Sequence, residues 1–111
     1  MASITVLGVC GSPREGSTEC VLRRALEFAR SLGDVGTELI SVRGKRINFC
    51  LHCDYCVRTK KGCVQKDDMS GFYPSMESAD AWIVGTPVYQ GSVSGQLKAV
   101  MDRCRAIVAR N

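Results

Sequence analysis

Residues 3–32 read SITVLGVCGSPREGSTECVLRRALEFARSL, and this stretch decides the fold. Ser3–Cys10 is short, apolar and rich in branched side chains, the composition of a strand buried on both faces of a parallel sheet. Gly11–Ser17 is a loop with two glycines and a proline. From about Thr18 to Leu32, the residues Val21, Leu22, Ala25, Leu26, Ala29 and Leu32 recur at helical spacing. Arg23, Arg24, Glu27 and Arg30 face away, which predicts an amphipathic helix. Gly33 follows, where a helix end wants a left-handed residue. Thr37–Val42 alternates and reads as a second strand. Strand, helix and strand with short connections make a right-handed βαβ unit.

The rest of the chain extends that unit. Ala81–Gly85 (AWIVG) reads as a third buried strand. Thr86–Ser94 is a loop rich in turn residues, and Ser94 can cap a last helix. In that helix Leu97, Val100, Met101, Cys104, Ile107 and Val108 form one apolar stripe. Residues 44–67 show neither helical nor strand period, and a loop this long usually serves function. Asp68 to about Ser78 suggests a short helix capped by Asp67 or Asp68, although Pro74 opposes it. The order is that of an α/β domain with an open, doubly wound parallel sheet, one domain over residues 1–111.

Composition narrows the function. The 111 residues are 45% hydrophobic and 23% charged, enough to build a core and too apolar for a disordered tail. The net charge of +4 is scattered and aromatics are 6%, so there is no basic stripe for nucleic acid. No apolar run approaches the ~18 residues that a bilayer span requires. Ile4–Cys10 is too short for a secretory signal and lacks a basic segment before it, so a cytoplasmic protein is expected. Seven cysteines are the abnormal count. An odd number without a signal argues for metal or redox chemistry over a secreted disulfide scaffold.

Two places carry chemistry. Gly11–Thr18 leaves the first strand at the edge where open α/β sheets bind ligands, and it opens a helix. Ser12, Ser17 and Thr18 offer hydroxyls, Arg14 a charge, and the helix start free N–H groups, a set that suits a phosphate. Glu15 and Glu19 count against it unless they point outward, and a serine-capped turn that binds nothing is the plain alternative. The loop is neither a GxGxxG fingerprint nor a P-loop. The second place is CLHCDYCVRTKKGC, where Cys50, Cys53, Cys56 and Cys63 are spaced C-x2-C-x2-C-x6-C. Four thiols within fourteen positions, three at the same step, favour a 4Fe-4S cluster over zinc, which prefers two separated pairs. Free thiols are the third option. Arg58, Lys60 and Lys61 would offset a negative cluster or simply be solvated, and His52 is not needed as a ligand. Cys10, Cys20 and Cys104 are expected to be small core residues.

Two separated segments then resemble one family. Gly11-Ser12-Pro13-Arg14-Glu15-Gly16-Ser17-Thr18 and the run from Gly85-Thr86-Pro87-Val88-Tyr89 to Asp102-Arg103 are similar to the flavodoxin-like, NAD(P)H-dependent FMN reductase superfamily. With the cysteines between them, the chain resembles its iron–sulfur flavoprotein branch. The resemblance implies a sheet of order 2-1-3. It implies that Ser12, Arg14, Ser17 and Thr18 hold the FMN phosphate, Ser17 standing where the family usually has asparagine. It implies that Thr86, Pro87, Val88, Tyr89 and Gly91 run along the ribityl chain and ring, with Gln90 at an often aromatic position. Tyr89 could wall the ring or merely cover a core edge.

Members of the superfamily carry two further strands, so the domain is expected to be incomplete at its C-terminus. Ala81–Gly85 would then be an open apolar edge, covered by another chain in a homo-oligomer or by further sequence. The expected function is an FMN-dependent oxidoreductase that passes electrons between FMN and the cluster, fed by NAD(P)H or a ferredoxin. No side chain need act as acid or base. The alternatives are a flavin or quinone reductase without a cluster, and a non-enzymatic zinc-stabilised interaction module.

Overall fold

The computed structural model describes residues 3–110. Three parallel strands form the sheet: β1 (Ile4–Cys10), β2 (Val35–Ser41) and β3 (Ala81–Gly85), in the order β2-β1-β3. The expected order is therefore observed. The helices are α1 (Ser17–Ser31), α2 (Tyr55–Thr59), α3 (Met69–Ser78), α4 (Gly95–Arg103) and α5 (Arg105–Arg110). The register sets Cys10 opposite Ser41 on one side and Gly85 on the other, so all three strands end at one level. That common edge carries the loops that follow.

Alternation along β1 builds the two layers. Leu7 and Val9 join Ile40, Val42, Met69, Phe72, Met76, Leu97 and Val100 in one buried cluster between the sheet and helices α3 and α4. Each such side chain contributes about 1.5–3 kcal/mol by leaving water. The other face receives α1 through Leu22 and Leu26. A Cβ on Gly8 would come within 2.9 Å of Leu26, so the glycine lets α1 lie close on β1. The packing of Met69, Phe72 and Met76 also explains why α3 forms despite Pro74, which sits on its exposed side.

Several details depart from the sequence reading. β2 starts at Val35 rather than Thr37. Val21 and Leu32 on the α1 stripe are exposed; among the described residues β3 ends the sheet on the side of Val21. β3 is half-open, against the buried strand its apolar run suggests and in line with the open edge expected from the order 2-1-3: Trp82 is 41% and Val84 50% exposed. The last helix is broken. The Cys104 N–H bonds back to Val100 and Met101, the Ile107 N–H turns to Cys104 O, and the Arg103 carbonyl instead accepts the Tyr73 hydroxyl at 2.8 Å. Val108, beyond the break, consequently leaves the core, and Met101 is exposed on α4 itself. Cys20 is exposed rather than a core residue, since position 20 faces away from the Glu19–Leu22–Leu26 stripe. No helix among the described residues is long and apolar enough to cross a membrane.

Candidate functional site

The first and third strands hand their loops to each other. The Gly11 N–H donates to Gly85 O at 2.8 Å. The Ser94 hydroxyl donates to Gly11 O at 2.6 Å and accepts the Leu97 N–H at 3.1 Å, so the expected helix cap also ties two loops together. The Thr86 hydroxyl accepts the Ser94 N–H and donates to Pro87 O. A Cβ on Gly11 would stand 2.8 Å from the Leu97 Cβ, which fixes α4 directly beneath the first loop. Ser12 is buried, and its hydroxyl donates to Arg14 O and accepts the Arg14 N–H, closing a tight turn.

That turn leaves the start of α1 open. Gly16 precedes the helix, and no side chain caps its first N–H groups. Ser17 is exposed and Thr18 half-buried beside them, and the Arg14 guanidinium lies over Gly16. An uncapped helix start with hydroxyls and an arginine has the chemistry that suits an anion. Glu19 does not spoil it. The carboxylate is buried and accepts two bonds from Arg23, at 3.1 and 3.0 Å, and one from Arg43 at 3.3 Å. The Arg23 hydrogen bond outweighs burial and holds its carboxyl below the ordinary value. Glu19 thus points neither outward nor at the loop, as the sequence left open. It pins α1 to the end of β2, and two arginines offset its charge.

Tyr89 and Ser92 exchange backbone bonds at 3.0 and 3.2 Å around Gln90 and Gly91. Both turn residues have positive φ, 51° and 72°. This is the two-residue hairpin geometry that glycine and asparagine favour, so Gln90 is the strained member. Tyr89 and Val88 are exposed on this hairpin, while Pro87 is half-buried at its base. Ser17, Thr18 and Thr86 share the mouth of a groove of about 360 Å³ between α1 and β3.

The cysteine loop stands on a neck. The Arg46 and Asn48 N–H groups donate to Asp68 and Asp67 at 2.6 and 2.9 Å. Arg103 donates to Asn48 O at 2.7 Å and to both Asp67 oxygens, at 2.8 and 2.9 Å. Those hydrogen bonds outweigh burial and lower the Asp67 carboxyl to about 2. Burial works against the Arg103 charge, but Asp67 prevails and its pKa rises. Burial raises the Tyr73 hydroxyl, and the nearby Cys63 adds to the effect. Asp67 also accepts the Met69 N–H, so it both starts α3, as expected, and closes the neck.

Beyond the neck the backbone is unusual. His52, Asp54 and Lys60 have φ of 56°, 62° and 57°, a region that non-glycine residues seldom adopt. Arg105 holds Asp54 at 2.6 Å, and Lys60 donates to Ala109 O, so α5 braces α2. Cys50, Cys56 and Cys63 are half-buried and Cys53 is exposed, all as free thiols. The His52 N–H donates to Cys50 Sγ at 3.4 Å, the kind of bond that steadies a metal-bound thiolate. The donor chemistry therefore fits iron–sulfur or zinc. Yet no three His, Cys, Asp or Glu gather closely enough among the described residues to hold an ion, so the loop is not a preformed cage.

The family described as NADPH-dependent FMN reductase matches residues 4–111, nearly the whole chain. The chain belongs to that family. An iron–sulfur flavoprotein of Methanocaldococcus jannaschii is 52% identical over 106 residues, covering 96% of this chain and 53% of the relative. One from Archaeoglobus fulgidus is 49% identical over 104 residues, covering 94% and 52%. The chain spans about half the length of the curated relatives it matches. A solved flavone reductase has the same fold at a TM-score of 0.70 and 23% identity, covering 91% of this chain and 30% of its own. A structure of RosB with a bound formylated riboflavin phosphate aligns at a TM-score of 0.71 and 14% identity, covering 93% and 42%. The flavodoxin-like fold is thereby established.

Sequence reasoning missed the Glu19–Arg23–Arg43 and Asp67–Arg103 pairs. The signal was present. Glu19 stands three residues before Leu22 and seven before Leu26, and Arg103 stands three after Val100. Each is a charge on an apolar stripe, and such a charge needs a partner.

Proposed function

We propose that this chain is the FMN-binding and cysteine-bearing part of an iron–sulfur flavoprotein, a flavin-dependent oxidoreductase that moves electrons between FMN and a 4Fe-4S cluster. The observation that carries the reading is the single edge on which two interlocked loops and an uncapped helix start meet. Ser17 and Thr18, with the α1 amides and Arg14, would hold the phosphate. Ser12 acts by shaping that turn, since its hydroxyl is already engaged with Arg14. Thr86 and Pro87 set the second loop, and Val88, Tyr89 and Gly91 present an exposed apolar and aromatic wall for a flat ring. Cys50, Cys53, Cys56 and Cys63 would ligate the cluster, and closing the loop around it would gather sulfurs that now stand apart.

Bound FMN exchanges electrons in pairs or singly and a cluster one at a time, chemistry that belongs to the cofactors. The chain's part is to seat them and keep them at a fixed separation. Electrons would enter from NAD(P)H or a ferredoxin, and the uncovered β3 edge favours a second chain against it. The match of residues 4–111 to the NADPH-dependent FMN reductase family supports one second reading, a flavin reductase without a cluster.

Protein purified without oxygen decides between them. The main reading expects one FMN and about four iron atoms per chain, with Cys53→Ser losing the iron and keeping the flavin. Flavin without iron supports the second reading. Zinc without flavin would return the chain to a structural module.

A further inference from the structure

Helix α4 has a loop fastened at each end. At its start the buried Ser94 hydroxyl holds Gly11 O, at the base of the proposed phosphate loop. At its end Arg103 holds the cysteine loop by both stems: Asn48, two residues before Cys50, and Asp67, four residues after Cys63. The Arg103 side chain is 1% and the Asp67 side chain 4% accessible. The Arg103 carbonyl is turned to the Tyr73 hydroxyl, and that turn ends the helix. Its Nε–H is buried without an acceptor among the described residues. A buried guanidinium is costly to place, and a fork that leaves one donor unmade is not there for core stability alone.

Resting on the proposed function, we propose that Arg103 is the positioning residue of the cysteine loop: it anchors the neck to the helix that seats the flavin loop, and so fixes the distance between the two groups. Nine helical residues make a rigid spacer of about 13 Å. A point charge cannot replace it, because one planar fork reaches both Asp67 oxygens and Asn48 O together. Lysine keeps the charge and loses the second stem.

The test compares the two ends of the helix. Arg103→Lys, Asp67→Asn and Ser94→Ala are made in the full chain. Each is measured for thermal midpoint, FMN dissociation constant by flavin fluorescence, iron per chain, and iodoacetamide labelling of each cysteine in the iron-free protein. Arg103→Lys and Asp67→Asn are expected to speed labelling of Cys63 about tenfold and to lower iron, with the FMN constant within about twofold of wild type. Ser94→Ala is expected to weaken FMN about tenfold and leave cysteine labelling unchanged. Unchanged labelling and iron in both neck variants overturn the proposal, as does loss of FMN in step with them, which marks a merely structural role. Asp67→Asn serves where Arg103→Lys does not fold. Wild-type protein that takes up neither FMN nor iron sinks the proposed function instead, while the labelling contrast still judges Arg103.

Discussion

The flavin-side loops are closed by neutral groups: Gly11 to Gly85, Ser94 to Gly11, Thr86 to Ser94. The cysteine loop is closed by charges: Asp67 to Arg103, Asp68 to the Arg46 amide, Arg105 to Asp54. The first set is complete without a ligand, and its helix start is already bare. The second fixes the neck and leaves the sulfurs apart. The flavin-side loops are thus fastened to each other as they stand, and the proposed cluster site is one that a metal would have to complete. Neutral bonds are indifferent to acid, whereas ion pairs are not.

The sharpest way to break this contrast is to supply or remove metal. Reconstitution with iron and sulfide is expected to slow proteolytic cutting between residues 49 and 66 at least about tenfold, and chelation to restore it, with no change at residues 11–16. Equal cutting with and without iron, read by mass spectrometry, would remove the metal from the argument. Next in size is Leu97→Ala. It empties space beneath Gly11 and is expected to cost about 2–5 kcal/mol in urea unfolding. A cost below that range would show the first loop to be less tightly seated than its contacts imply.

Acid should act on the neck through Asp67 and on α1 through Glu19, and leave the neutral bonds between the loops alone. Asp67 has its carboxyl lowered from 3.8 to about 2. Its contribution is fully present above the unfolded value and is lost as pH falls through the folded one. Urea midpoints should therefore drop from about pH 4 to about pH 2, less steeply in Asp67→Asn, while Ser94→Ala keeps the wild-type slope. The smallest expected effect is at the hairpin. Gln90→Asn relieves a left-handed glutamine and should stabilise by about 0.5 kcal/mol, visible as a small rise in melting temperature.

How much of this could be read from the sequence follows from the range of the interactions. β1, α1 and β3 were legible because their periods and their loops are local, and Ser94 was legible as a cap for the same reason. Val21 was misjudged because burial depends on what lies beside the sheet, which periodicity does not encode, whereas the open edge at Trp82 followed from the strand order that the family resemblance implied. The break at Cys104 depends on a hydroxyl thirty residues earlier taking a carbonyl from the helix. Arg103 and Glu19 announced themselves as charges on apolar stripes, but their partners lie 36 and 24 residues away. The cysteine spacing pointed to a set of thiol donors and said nothing of how far apart the sulfurs would stand.

Trp82 is the chain's one tryptophan. Its indole Nε1–H is anchored to Met76 O at 3.1 Å, and 41% of the residue faces solvent along the free rim of β3. It is therefore an intrinsic fluorophore placed by the fold at its own seam. A polypeptide laid against that seam will shift the emission to the blue and protect it from acrylamide, with no label added.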